Sequence, residues 1–379
     1  MRPEIFSFFF LAVIFYYVER FSEHPRLSLI IIPVCQVLWA NMHGLHVLGF
    51  IFLLLYLLGD LFQAFLTHYV SLVPKVKMET KEWKQKGILT CLTGIALLIN
   101  ANGKEGILYP YKIFYELRTK PAIFARLTEL TSPFTIKHVP FPEPTIVYKI
   151  FLFLSVFALI CQLKRIRFAH ILPYGVFLYL SVLAIRNMPL FAIIATPVTI
   201  HHLYGILDFF LKSKQKEYIV HMAIFVTVSF CWIVFSIGIC IFIVNNTLYR
   251  RLQYLRTFGI GESGSFPVEA VDYLKEEDIA GNIFNSSEIG GYLIWKMYPQ
   301  KQVALDGRWE VYEDFMENVQ RLQNPFYFAQ LAAQYKIRAI ILYKRSLEIQ
   351  LMLPWLQISP FWLLTKNTPN AVVFEKNIG

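Results

Sequence analysis

Residues 37–50 read VLWANMHGLHVLGF. One strongly apolar run ends here and another begins, and between them sit Asn41, His43 and His46 with a single glycine. Apolar runs on both sides of a tight polar turn predict two helices joined at their tips. The pattern extends outward in both directions, with apolar runs over residues 5–21, 27–40, 45–66, 87–99, 145–163, 169–185, 190–211 and 219–244. A helix needs about 20 mainly apolar residues to cross a bilayer, so 27–40 and 87–99 are short for a full crossing. Either one, as a re-entrant segment, would change the parity of everything after it. The expectation is an α-helical polytopic membrane protein of about eight spans.

The composition agrees. The chain has 379 residues, of which 56% are hydrophobic and 16% charged, against about a quarter charged in a soluble protein. Charges are sparse up to Val244 and dense from Arg250 onward, which predicts a multi-span domain over 1–246 and a small α/β domain over 247–379. The formal net charge of +10 does not point to nucleic acid, because the basic residues gather in short clusters between apolar runs. The five cysteines lie in or beside those runs and form no CxxC pair or disulfide framework. His201 and His202 are adjacent on a helix and point about 100° apart, so they cannot easily share a metal. We expect no metal centre built from protein ligands alone.

Loop charges orient the spans. One set of loops carries Arg20 and Arg26, then Lys75, Lys77, Lys81, Lys84 and Lys86, then Lys164, Arg165 and Arg167, then Lys212, Lys214 and Lys216. The other set holds the NMHG turn, the 100–144 loop and the lone Arg186. The first set reads as cytoplasmic, which puts the C-terminal domain outside a plasma membrane. Asp60 falls near the cytoplasmic end of the third run, facing water or a neighbouring helix. The same parity puts Met1 outside, which either a short outer N-terminus or a further span preceding this sequence would explain.

Polar groups then converge on the outer side. They are Asn41 and His43 in the NMHG turn, Asn100, Asn102 and Lys104 after the fourth run, Arg186 and Asn187 between the sixth and seventh, and Glu105, Glu116 and Glu129 in the long loop. Ionisable groups near membrane depth usually face a bundle interior or a cavity. Here they suit an anionic, lipid-linked head group. Arg186 and Lys104 would pair with phosphate, the asparagines would bond hydroxyls, and His43 or Glu129 would move a proton. Each has a plainer reading. The WANMHG turn caps two helices with Trp39 as interfacial anchor, Arg186 snorkels to the interface, and Glu129 is a solvated loop residue.

The tail alternates helix and strand. A helix is expected over 267–277 and strands over 282–285 and 302–306, the latter ending in the Asp306-Gly307-Arg308 turn. Helices over 311–322 and 348–356 flank a buried strand at 338–343, and a hairpin over 362–366 and 371–376 closes the domain. Glu288, Asp306 and Arg308 would lie at the carboxyl ends of strands, where open α/β sheets bind ligands. The plainer reading of the last two is an Asp–Arg pair stabilising a turn. No phosphate loop, dinucleotide fingerprint or nucleophile elbow is present.

The segments RPEIFSFFFLAVIFYYVER, LWANMHGLHVLG, LLINANGKEGILYPY, LTELTSPF and AIRNMPLFAI resemble a group of bacterial multi-pass membrane proteins related to the GT-C glycosyltransferases, the class of the protein mannosyltransferases. The stretch FPVEAVDYLKEEDIAGNIFNSSEIGGYLIWKMYPQKQVALDGRWEVY is similar to the extracytoplasmic domain many of them carry. The resemblance implies transfer of a sugar from a polyprenyl-phosphate donor at the outer leaflet to a lipid, glycan or protein acceptor. It also implies an acidic first outer loop, acting as base or as partner to a divalent cation, ahead of RPEIFSF. A partner subunit is one source of that part. The alternative is a non-catalytic membrane scaffold that binds envelope glycan. Transport is disfavoured, since neither internal repeats nor midplane charges are visible.

Overall fold

The computed structural model describes residues 4–69, 80–119, 128–135, 144–162, 166–211, 217–251, 258–259, 261–277, 279, 281–307 and 315–377. Arg308 lies outside them, as do the loop residues Lys75, Lys77, Lys164, Arg165, Lys212, Lys214 and Lys216. The chain divides into two compact units, Met1–Ala223 and Ile224–Gly379.

Each of the eight apolar runs contains a helix: α1 (Glu4–Glu19), α2 (Pro25–Met42), α3 (Val47–Tyr69), α4 (Thr80–Ala96), α6 (Pro144–Cys161), α7 (Phe168–Leu183), α8 (Met188–Leu211) and α9 (Glu217–Val244). Among the described residues, four segments are long and apolar enough to cross a membrane: Pro25–Met42, Gly44–Tyr69, Ile185–Ile206 and Val226–Val244. Thr145–Cys161 and Phe168–Leu183 are shorter apolar helices. This set is compatible with a membrane protein. The outward faces are as apolar as the core, with Ile30, Ile95, Ile150 and Phe153 all exposed, as a lipid-facing surface requires.

In the first unit α1 packs on α2 and α8, α3 on α7, α4 on α2, and α8 on α6 and α7. Phe10, Leu11, Ile14, Trp39, Phe52, Tyr56, Phe177 and Phe191 form one continuous buried core. The α3–α7 crossing is set by Gly59: a Cβ there would lie 2.4 Å from the backbone nitrogen of Ala169 and from the carbonyl oxygen of Phe168. Only a residue without a side chain lets the two backbones approach so closely.

The 100–144 stretch, expected to be a loop, contains helix α5 (Gly103–Thr119). Its Leu108, Tyr111 and Tyr115 are exposed, and it has the mixed aromatic and charged composition of an interfacial helix. A hydropathy reading misses such a segment because it is too polar for a span.

In the second unit a short helix α10 (Thr247–Arg251) precedes an α/β domain. Strands β1 (Asn282–Asn285), β2 (Ile337–Tyr343), β3 (Trp362–Asn367) and β4 (Ala371–Lys376) form one sheet in the order β1-β2-β4-β3. β1 and β2 are parallel, and the two other pairings are antiparallel. Alternate residues of the buried strands feed two cores. Phe284, Ile340, Leu342, Val372 and Phe374 meet α13 (Phe315–Arg321), α14 (Pro325–Gln334) and α15 (Leu347–Leu356). Ile283, Ala339, Ile341, Ala371 and Val373 meet α11 (Val268–Glu276) and α12 (Gly290–Met297). A sheet covered on both faces explains why RAIILY reads as one apolar run rather than an alternation. The expected strand over 302–306 is only a single parallel bridge, Val303 beside Ile283. Helix α14 was not anticipated, although Asn324 caps it from its side chain and Pro325 opens it.

Candidate functional site

The Asn41–His46 turn joins α2 to α3 through a short 3-10 helix, Gly44–His46. Tyr109 of α5 lies over Gly44, where an added Cβ would come within 2.9 Å of the ring. Around this turn α1 contributes Glu4 and Ser7, and the α7–α8 connection contributes Arg186. The Trp39 indole donates to the Ser7 hydroxyl oxygen at 2.8 Å, and that oxygen lies 2.7 Å from Nδ1 of His43. Arg186 reaches the Glu4 carboxylate at 3.2 Å, and both side chains remain partly open to solvent. The 3-10 turn Thr128–Leu130, which carries Glu129, packs against the Ile185–Asn187 turn. Ile185 N–H donates to the Thr131 carbonyl at 3.0 Å, and the Ser132 hydroxyl donates to that of Val182 at 2.7 Å. His43, Glu129 and Arg186 are thus gathered on neighbouring turns.

The asparagines do something else. Asn41 donates to the carbonyls of Val37 and Ile99 and accepts from the Ala101 N–H, tying α2 to the end of α4. Asn100 donates to the carbonyls of Leu97 and Gly103 and accepts from the Asn102 N–H, shaping the α4–α5 turn. The Asn187 side chain donates to the Leu180 carbonyl. These amides bond carbonyls and N–H groups at or near helix ends, where backbone groups run short of partners. For Asn41, Asn100 and Asn187 the structure therefore favours the capping reading over hydroxyl recognition. Asn102 and Lys104 are exposed at the start of α5, alongside Glu105.

The opposite end of the same helices carries a feature the sequence reading did not find. Asp60 is fully buried and accepts from Lys86 Nζ and from the Arg167 guanidinium, each at 3.0 Å. Lys86 also reaches Glu82 at 3.4 Å, and Glu82 accepts from the Ser22 hydroxyl at 2.8 Å. Arg167 lies 3.9 Å from Glu19, which in turn pairs with His170 at 2.8 Å. The Lys86 ammonium sits 5.8 Å from the ring centroids of both Phe21 and Tyr56, a favourable place for a cation. An Asp inside an apolar run was the available signal, because at that depth it needs a cationic partner. What the sequence does not disclose is which loop lysine or arginine turns inward. Further along α8, His201 is exposed and His202 buried, as their spacing required.

In the α/β domain, the carboxyl ends of β1 and β2 gather a second polar cluster. The Ser286 and Ser346 hydroxyl oxygens lie 2.8 Å apart, and the Ser287 N–H donates to Oε1 of the buried Glu348 at 3.0 Å. Asn285, at the end of β1, donates to the Leu305 carbonyl and accepts from the N–H groups of Ala304 and Leu305, pinning the approach to Asp306. Asp306 itself is buried. The side chain of Glu288 is exposed overall, but partial burial of its carboxyl, together with the Glu348 carboxyl nearby, pushes it up to about 7. Among the described residues, no group of three His, Cys, Asp or Glu is placed to hold a metal ion.

No protein-family model matches the chain, and no curated protein matches it.

Proposed function

We propose that this chain is a GT-C-like membrane glycosyltransferase that draws its sugar from a polyprenyl-phosphate donor. In this reading it crosses the plasma membrane about eight times, with the Glu4 end of the bundle and the α/β domain outside. The observation that carries the proposal is the meeting of Glu4, Arg186, His43 and the Glu129 turn at one end of the helices. Loop charge assigns that same end to the outer face. Arg186 holds the donor phosphate in a charge-assisted, two-pronged contact, and Glu4 orients the guanidinium. The acceptor hydroxyl attacks the anomeric carbon, the bond from that carbon to the phosphate oxygen breaks, and polyprenyl phosphate departs with both bonding electrons. The hydroxyl proton passes to the Glu129 carboxylate, and Arg186 stabilises the charge on the leaving phosphate.

The capping roles of Asn41, Asn100 and Asn187 favour a second reading, a non-catalytic scaffold whose outer domain binds envelope glycan. Binding of a short-chain polyprenyl phosphate to the full chain in nanodiscs separates the two. The transferase reading expects saturable binding that Arg186→Ala weakens at least about tenfold, equivalent to about 1.4 kcal/mol. Absence of saturable binding, or binding indifferent to Arg186, would leave the scaffold as the better description.

A further inference from the structure

The three-residue contact at the heart of the turn fixes more than position. An indole N–H can only donate, so the Trp39 contact at 2.8 Å makes the Ser7 oxygen an acceptor. Both side chains are fully buried. A hydroxyl has one hydrogen to give. Among the described residues, the acceptor within reach of Ser7 is Nδ1 of His43, 2.7 Å away. In the reverse assignment, with Nδ1–H donating to Ser7, two donors converge on one oxygen. The buried hydroxyl hydrogen would then have no partner among the described residues, an arrangement native interiors avoid. The bonds therefore run Trp39 N–H to Ser7 Oγ and Ser7 O–H to His43 Nδ1. Neutral His43 must carry its proton on Nε2.

His46 is fixed the other way. Its Nδ1 lies 3.2 Å from the His43 carbonyl oxygen, which can only accept, so His46 holds its proton on Nδ1. Its Nε2 is then a buried acceptor without a hydrogen-bond partner among the described residues. Two imidazoles on one short turn are held in opposite tautomers by their neighbours, the arrangement by which proteins assign histidine roles.

We infer that Trp39 and Ser7 are positioning residues that lock His43 as the Nε2–H tautomer, so that His43 donates a hydrogen bond to an anionic phosphate oxygen instead of accepting a proton. The inference rests on the proposed lipid-phosphate site for its ligand, and it replaces the proton-moving role expected for His43. Next to Arg186, an Nε2–H donor adds a second, directional contact to the guanidinium fork. Proton acceptance is left to a carboxylate.

The test is nitrogen-15 NMR of the full chain in nanodiscs, labelled at histidine and held at a pH where the imidazoles are neutral. His43→Gln identifies the His43 signal among the nine histidines. The expected result is Nε2–H at His43 and Nδ1–H at His46. Ser7→Ala should shift His43 toward a mixture of tautomers. Trp39→Phe, which keeps the packing ring and removes only the N–H, should do so in part. An Nδ1–H His43 in the wild type, or a tautomer ratio unmoved by Ser7→Ala, overturns the lock. A short-chain polyprenyl phosphate is then added, and its occupancy is followed separately by its phosphorus signal. Binding should shift the His43 Nε2–H resonance, and binding that leaves it unmoved overturns the donor role. Absence of any binding refutes the transferase reading and the donor role together. The tautomer lock, read without ligand, is judged by the first experiment alone.

Discussion

The two ends of the first helical unit handle polar groups in opposite ways. At the Asp60 end, Glu82, Lys86, Asp60, Arg167 and Glu19 form an unbroken chain of alternating charge across α4, α3, the start of α7 and α1, and the Glu19 carboxylate also bonds the His170 ring. Each interior member touches two partners of opposite sign. At the Glu4 end the described residues show one ion pair, Arg186 with Glu4, both of whose side chains remain partly open to solvent. Beside it stands the His43 imidazole, whose Nδ1 is occupied by Ser7 while its Nε2 has no hydrogen-bond partner among the described residues. In the proposed reading the saturated chain holds helices in register, whereas the partly open end takes the ligand. The difference separates a lock from a site, although the sequence shows ionisable residues at both ends alike.

The largest effect is expected from Asp60→Ala. It leaves the buried Lys86 ammonium and the half-buried Arg167 guanidinium without their shared acceptor, and should cost about 3–5 kcal/mol. Reversible unfolding in mixed detergent micelles would measure it. A loss below about 1 kcal/mol, the level of an exposed pair, would mean the chain is ornamental.

Gly59→Ala comes next. The added carbon meets backbone rather than a flexible side chain, so the α3–α7 crossing must open, at about 1–3 kcal/mol. The same unfolding assay, with a cysteine crosslinking distance across the two helices, would show whether they separate.

Arg186→Ala should leave stability within about 1 kcal/mol, because its pair with Glu4 is partly solvated. The prediction is a variant that folds normally and binds lipid phosphate poorly, the reverse of what Asp60→Ala does to the fold. If unfolding shows Arg186→Ala as damaging as Asp60→Ala, the distinction between the ends disappears.

A smaller effect is expected in the α/β domain. The Glu288 carboxyl is held at about 7 by burial and by Glu348, above the ordinary range for an unfolded chain. The folded domain therefore binds that proton more tightly than the unfolded chain does, and its stability should fall as pH rises through the range from about 4.5 to 7. Glu288→Gln should flatten that dependence, with local hydrogen exchange over 282–290 as the readout. Smallest of all is Lys104→Ala. Exposed at the start of α5, it should stay within about 0.5 kcal/mol of the wild type.

Much of the helical layout was legible because span-length hydrophobicity is a strong signal, and each apolar run holds a helix. The α/β domain was legible for the same reason on a smaller scale: NIFN, RAIILY and the final hairpin are short apolar runs between turn residues. Helix α5 was not, because an interfacial helix is neither apolar enough for a span nor polar enough for a plain loop. Nor was the chain through Asp60, whose partners lie 26 and 107 residues away and read as loop charges. At the Glu4 end, residue type and position single out His43, Glu129 and Arg186, while Glu4 and Ser7 are hidden in a run read only for its hydrophobicity. Their spacing, three residues apart on one helix face, was the signal to follow. The asparagines show the limit of reading residue type alone, since an amide that could bind a hydroxyl serves a helix end equally well.

The most direct test of the central claim is photocrosslinking of the folded wild-type chain in nanodiscs with a short-chain polyprenyl phosphate carrying a photoreactive group beside the phosphate. Labelled peptides are expected around 41–46 and 183–188, suppressed by excess unlabelled ligand. Labelling confined to the Asp60 end, or spread evenly over the helices and indifferent to competitor, would contradict it.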